Sequence, residues 1–226
     1  MSEAGERRGD DSARPRGVLV AFEGGDGAGK STQIARLTRW LTAQGRDFVV
    51  TREPGGTDLG ERVRDVLLHG GAVSARAEAL LFAADRAQHV DTVIRPALAA
   101  GQDVITDRFM DSSIAYQGAG RDLDAAEIRT LSLWATGGLL PDLTVLLDVP
   151  VDVARARRQR LADRMEAEPT DFHERVRAHF LALAAAAPER YLVVDGAAES
   201  GQIAEIVASR LAATGWFGPD PAGGAR

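Results

Sequence analysis

Phe22-Glu23-Gly24-Gly25-Asp26-Gly27-Ala28-Gly29-Lys30-Ser31-Thr32 decides how this chain folds. From Gly24 through Ser31 it fits G-x-x-x-x-G-K-[ST]. The residues before it, Val18-Leu19-Val20-Ala21-Phe22, form an apolar run that reads as a buried strand. After it, Ile34, Leu37, Trp40 and Leu41 recur at helical spacing. Strand, glycine loop and helix are the context this motif needs. The glycines leave backbone N–H groups free to curl around phosphate oxygens. The helix start adds partial positive charge at the same point. In such a loop Lys30 reaches the β- and γ-phosphates of a nucleotide, and the Ser31 hydroxyl ligates Mg²⁺. The bland reading is a glycine turn without a ligand. It does not explain why Lys30 is the single lysine among 27 basic residues. A guanidinium is bulkier than an ammonium and fits a tight phosphate cradle poorly.

The chain has 226 residues, enough for one domain with a full-sized core. It has no cysteine, which excludes disulfides, thiolate metal sites and a cysteine nucleophile. The net charge of −6 offers no general basic field for nucleic acid. No apolar run approaches the roughly 20 residues of a membrane helix, and the polar N-terminus has no secretory apolar region. A cytoplasmic protein, with neither nucleic acid nor membrane as partner, is the expectation.

Residues 1–16, rich in Gly, Asp, Glu and Arg, read as a disordered leader. Strands are expected at 18–23, 47–51, 103–106, 143–149 and 191–195. Helices are expected after the glycine loop to about Gln44, at 58–68, at 74–99, from Asp124, from Pro150 to about Glu168, at 171–187 and at 200–213. In the 74–99 helix, Leu80, Leu81, Val90, Val93, Ile94 and Leu98 supply the apolar positions, and Pro96 should kink it or end its regular part. Asp124-Ala125-Ala126-Glu127 has the spacing of an acidic capping box. The Gly/Pro-rich tail 214–226 reads as frayed. Strands alternating with helices argue for an α/β fold, a five-stranded parallel sheet covered on both faces. Ligands of such sheets bind beyond the carboxyl ends of the strands. The polar clusters fall there: the glycine loop, Arg52-Glu53-Pro54, Asp107-Arg108 and an arginine-rich segment after strand four.

Taken together, these pieces resemble the bacterial thymidylate kinases. They are the 23–32 loop, Thr51-Arg52-Glu53-Pro54-Gly55-Gly56-Thr57, Leu81-Phe82-Ala83-Ala84-Asp85-Arg86, Asp107-Arg108-Phe109 with Ser112-Ser113-Ile114-Ala115-Tyr116-Gln117-Gly118, Leu147-Asp148-Val149 and Asp163-Arg164-Met165-Glu166. The resemblance covers about residues 17–213. It implies a phosphate-loop kinase domain with a helical arginine-rich lid at about 152–168. It also implies transfer of the γ-phosphoryl group of ATP, with Mg²⁺, to dTMP, and a homodimer. Two anions must be brought together, so the site needs cations and dry positioning more than a covalent nucleophile.

The same resemblance assigns residues. Gly24, Gly25, Asp26, Gly27, Ala28, Gly29, Lys30, Ser31 and Thr32 hold the nucleotide phosphates. Ser31 and Asp107 hold Mg²⁺, Asp107 through water. Asp26 accepts from the 3′-hydroxyl of dTMP, or else only stabilises its loop. Arg108 binds the dTMP phosphate with its planar fork, or else pairs with Asp107 to finish a strand. Phe82 and Arg86, one helical turn apart, stack on thymine and bond its O4 edge, although a Phe at helical spacing is often core. Ser112, Ser113, Tyr116 and Gln117 contact sugar and base, Tyr116 crowding a 2′-hydroxyl; alternatively they cap a helix. Gly27 stands where one branch of the family carries a loop arginine. Compensating cation is then expected from Arg155, Arg157, Arg158, Arg160 and Arg164, with Arg158 and Arg160 the expected catalytic pair. The bland reading of that run is a solvated face. Arg52 is a weaker candidate near the acceptor phosphate. His69, His89, His173 and His179 show no metal-ligand spacing. A kinase for another nucleoside monophosphate is the nearest alternative. A non-enzymatic guanine-nucleotide switch would need an N-K-x-D segment, which a chain whose only lysine is Lys30 cannot contain.

Overall fold

The computed structural model describes residues 16–157 and 163–216. Five strands, β1 (Leu19–Glu23), β2 (Phe48–Arg52), β3 (Asp103–Asp107), β4 (Leu143–Asp148) and β5 (Tyr191–Asp195), form one sheet. Its order is β2-β3-β1-β4-β5, and every pairing is parallel. All five strands match the sequence expectation to within a residue or so. β1 lies at the centre and is buried on both faces, so its run is apolar without alternation. Val18, Val20 and Phe22 pack towards α1 (Lys30–Ala43) and α9 (Ser200–Ala213). Leu19 and Ala21 pack on the opposite face, with residues of α3 (Ala75–His89), α4 (Arg95–Ala99) and α6 (Ala125–Ala135). A third apolar cluster joins α8 (Thr170–Ala186) to Tyr116.

Register brings the site together. Phe22 lies opposite Asp107, and Asp107 opposite Arg52. The glycine loop, Asp107-Arg108 and Arg52-Glu53 therefore leave the sheet side by side at its carboxyl edge, where strand order reverses around β1.

Three helix expectations change. The 74–99 segment is not one α-helix. Residues Val90–Ile94 widen into a π-helical stretch between α3 and α4, and Arg95 N–H bonds to Val90 five residues back. Pro96, without an N–H, takes the first turn of α4, so the irregularity falls just ahead of it. Leu80 is an exposed position, 59% accessible, because the inward face of α3 carries Glu78, Asp85, Arg86 and His89. After strand four, α7 (Val151–Ala156) ends well before Glu168. Residues 163–168 are turns, held by Asp163 and Glu166 in reciprocal bonds: Asp163 Oδ1 accepts from the N–H of Met165 and Glu166, and Glu166 Oε2 from the N–H of Asp163.

The remaining elements are α2 (Asp58–His69), α5 (Met110–Ser113) and a π-helical turn, Ile114–Gly120, continuing α5. Asp124 caps α6 through the N–H of Ala126. Most of the expected leader and tail, and the expected arginines Arg158 and Arg160, lie outside the described residues. Arg16, placed in the leader from sequence, pairs with Asp142 at the start of β4. No helix among the described residues is long and apolar enough to cross a membrane.

Candidate active site

The glycine loop turns back on itself at Gly24, Gly27 and Gly29, whose φ angles are 133°, 87° and 96°. These left-handed conformations require glycine and aim successive N–H groups at one point. Gly29 caps α1 without any side-chain bond, and the first turn of α1 holds no acid. By contrast, side chains cap α2, α3, α6 and α9: Thr57, Ser74, Asp124 and Glu199. Like α8, α1 therefore starts without a side-chain cap, and its first turn lines the cleft beside the glycine loop. Lys30 Nζ donates to the carbonyls of Gly24 and Gly25, both at 3.3 Å, and lies 3.8 Å from Asp107. Burial, with Arg108 close by, pulls its pKa below the usual lysine range. The loop opens on a cleft of about 720 Å³, lined also by Arg52, Arg64, Asp107, Arg157 and Ser200.

Gly27 explains the missing loop arginine. A Cβ at this position would sit 2.2 Å from the carbonyl oxygen of Ala154 in α7. Backbone and not a flexible side chain blocks it, so any side chain here must displace α7 or the loop.

Beside this cleft lies a second, narrower one, lined by Phe82, Leu68, Ser112, Tyr116, Gln117 and Met165. Asp26, Glu53, Arg64 and Arg108 line both. Arg108 has φ 71°, a left-handed conformation unusual for a residue with a side chain. Its own N–H bonds to Phe22, and Thr106 Oγ1 donates to its carbonyl. The guanidinium then spans the junction. It donates to Gly24 O at 3.0 Å, Ser112 Oγ at 3.0 Å, Asp26 at 2.6 Å and the Tyr116 oxygen at 3.3 Å. Tyr116 OH donates to the other Asp26 oxygen at 3.1 Å. Burial alone would raise the Asp26 pKa, but Arg108 and Lys30 outweigh it and hold the carboxyl well below its usual range.

Glu23 supports this junction from inside β1. It accepts from the N–H groups of Phe109 and Ser112 and from Ser112 Oγ at 2.6 Å. Burial, then the neighbouring Asp111, raise its pKa to about 7.

Phe82 faces the narrow cleft as expected; Arg86 does not line it. The Arg86 side chain is buried and donates to Glu53 at 2.7 Å, to Ser113 Oγ, to Phe109 O and to Ser132 Oγ. Ser113 thereby lies behind the cleft wall, while Ser112, Tyr116 and Gln117 form it. Glu53 also holds His89 at 3.0 Å, whose other ring nitrogen lies 2.6 Å from Thr51 Oγ1. His89 is therefore a buried brace of the 51–56 loop. Arg52 Nη2 donates to both carboxylate oxygens of Glu61, and Arg52 lines the larger cleft.

The described lid arginines separate by position. Arg157 reaches the wall of the larger cleft and bonds to the Gly196 and Ala197 carbonyls. Arg155 turns away, to Thr170 and Glu168. Arg164 docks on α2 and α3 through the Leu67 carbonyl and Glu78. Sequence reasoning missed Arg64, Glu53 and Glu78. Glu53 sits inside a motif already singled out. Arg64 and Glu78 look like ordinary helix-surface charges, and only tertiary packing marks them.

The oxygen set of Ser31, exposed at the start of α1, and Asp107, part-exposed on the same cleft wall, suits Mg²⁺. That ion keeps several waters and takes one or two protein oxygens beside substrate phosphates. No cluster of three or more His, Cys, Asp or Glu that would hold a metal occurs among the described residues.

A parallel α/β sheet, a glycine loop opening on a helix without a side-chain cap and a second cleft sharing its arginine define an α/β domain of the phosphate-loop type. The family model described as thymidylate kinase matches residues 22–207. Similar curated proteins include the thymidylate kinase of Clavibacter sepedonicus, 61% identical over 87% of this chain and 93% of its own length. That of Clavibacter michiganensis subsp. michiganensis is 59% identical over 87% and 95%. The Synechococcus sp. thymidylate kinase is 50% identical over 87% and 98%. The chain belongs to the thymidylate kinase family.

Proposed function

We propose that this chain transfers the γ-phosphoryl group of ATP to the phosphate of dTMP, giving dTDP and ADP. One observation carries the reading: Arg108 and Asp26 line both clefts, at the point where a donor γ-phosphate and an acceptor phosphate must meet. ATP occupies the larger cleft, its phosphates on the N–H groups of residues 24–32 and on Lys30. Lys30 exchanges the Gly24 and Gly25 carbonyls for phosphate oxygens, a better partner for a buried ammonium. Ser31 and, through water, Asp107 would hold Mg²⁺, which when bound would supply charge neutralisation at the phosphates.

dTMP occupies the narrower cleft. Arg108 takes its phosphate, with Arg64 alongside. Asp26 accepts from the 3′-hydroxyl; ionised throughout the ordinary pH range, it never presents a proton there. Tyr116 crowds a 2′-hydroxyl, Phe82 stacks on the base, and Gln117 reads its edge, with Arg86 and Ser113 behind. The acceptor is already a phosphate oxygen, so catalysis is positioning and charge stabilisation without a strong base. Arg158 and Arg160, next in sequence after Arg157, supply the lid cation. An arginine placed this way contributes roughly 10³–10⁵ in rate. The protein works as a homodimer. Leu80 on α3 and Trp134 on α6, 59% and 79% exposed on neighbouring helices, offer the apolar surface for a second copy.

An ADP-coupled assay with ATP and Mg²⁺ across dTMP, dUMP, CMP, AMP and GMP tests this. Preference for dTMP is expected. Preference for a purine would remove the base-pocket assignment.

A further inference from the structure

Glu78 is fully buried in the first turn of α3, yet it collects three partners from three parts of the chain. Gln117 Nε2 donates to it at 2.9 Å. Arg121 donates through Nε at 3.1 Å and Nη2 at 3.2 Å. Arg164, from the 163–168 turns, forms an ion pair with it at 2.6 Å. Burial alone would raise its pKa, but Arg121, Gln117 and Arg164 outweigh this and keep it ionised. An ionised carboxylate accepts and cannot donate. Gln117 must therefore turn its NH₂ towards Glu78, which leaves its carbonyl oxygen for the narrow cleft it lines.

We propose that Glu78 is a specificity-determining positioning residue: it locks the Gln117 amide with its acceptor facing the base. This rests on the dTMP reading of the cleft. A base with a ring N–H at that edge, as in thymine and uracil, is then accepted. Cytosine presents a ring acceptor at the same place and meets an acceptor. A site built around one hydrogen-bond polarity rejects the opposite one strongly, because buried polar groups are left unpaired. Arg164 on the same carboxylate ties the lid's base to this lock.

Glu78→Gln tests the proposal, since it keeps size and an acceptor. Arg164 and Arg121 Nη2, which hold Oε2, keep the new carbonyl there, and the new NH₂ at the Oε1 place faces Gln117 and turns that amide over. The expected result with the full chain, ATP and Mg²⁺ is a fall of about tenfold or more in the ratio of kcat/KM for dTMP over dCMP, with KM for ATP unchanged. In a Gln117→Leu background the same substitution is expected to change the ratio no further. An unchanged ratio in Glu78→Gln, or an equal effect without Gln117, overturns the proposal. Should Glu78→Gln not fold, NMR of the unmodified protein decides: Gln117 side-chain NH₂ protons stay slow to exchange with and without dTMP, and their release by dTMP overturns it. A wild-type protein with no turnover of dTMP overturns the functional reading itself, whereas an active wild type with an unchanged ratio in the variant removes only the role of Glu78.

Discussion

Asp26 and Arg108 are a close, part-buried charge pair, and Arg108 is the main electrostatic support of Asp26. Breaking such a pair from one side leaves the partner uncompensated, which costs about 3–5 kcal/mol where burial is complete. Asp26→Asn keeps the shape, lowers the charge and weakens the acceptor for a sugar hydroxyl. We expect kcat/KM for dTMP to fall about a hundredfold while KM for ATP changes by about twofold or less; equal effects on both substrates would count against the sugar contact. Glu23 gives a pH signature. Its folded pKa, about 7, lies above the ordinary value of 4.5, so the native state holds a proton that the unfolded chain has lost between those limits. Its contribution is therefore full below about pH 4.5 and fades as pH rises through about 7. Thermal melts of wild type and Glu23→Gln at pH 5 and pH 8 check this: the variant, which cannot ionise, should lose less stability over the interval. These roles were unevenly legible. Gly24 to Thr32 announce themselves because their chemistry depends on local backbone. Arg86 was expected on the edge of the base, and its burial against Glu53 was not legible, since i and i+4 spacing gives a shared face without saying what lies opposite.

For helices and strands, α7 packs closely against the glycine loop. The Ala154 carbonyl fills the place of a Gly27 side chain. Gly27→Ala adds a 2.2 Å clash to an already left-handed backbone, so α7 and the segment it feeds must shift. We expect a loss of several degrees in melting temperature and a tenfold or larger fall in kcat with ATP, read by differential scanning calorimetry and steady-state kinetics. A variant with wild-type stability and rate would show that this packing does not matter. The strands were readable because parallel strands buried on both faces are continuous apolar runs. α3 was readable as a helix but not as to its inward face, because four of its six buried positions are Glu78, Asp85, Arg86 and His89. Charge normally marks the solvent side, and here it marks the site. The π-helical widening at Val90–Ile94 and Ile114–Gly120 leaves no trace in a 3.6-residue period.

Across the protein, strand order and register do what no single motif can: they place the 22–32, 52–54 and 107–108 clusters on one edge. The exposed Trp134 and Leu80 lie on α6 and α3, two helices packed on each other. Trp134→Glu puts a charge into the expected dimer face. Light scattering should find wild type as a dimer and the variant shifted to monomer, and a wild-type monomer would refute the assembly. The core of the account is that two nucleotides meet end to end at Arg108. The most direct measurement is a crystal structure with dTMP and a non-hydrolysable ATP analogue bound together. The expected result has the triphosphate on residues 24–32 and Lys30, the dTMP phosphate on Arg108 and its 3′-hydroxyl on Asp26. A dTMP molecule lodged away from Asp26 and Arg108 would contradict it.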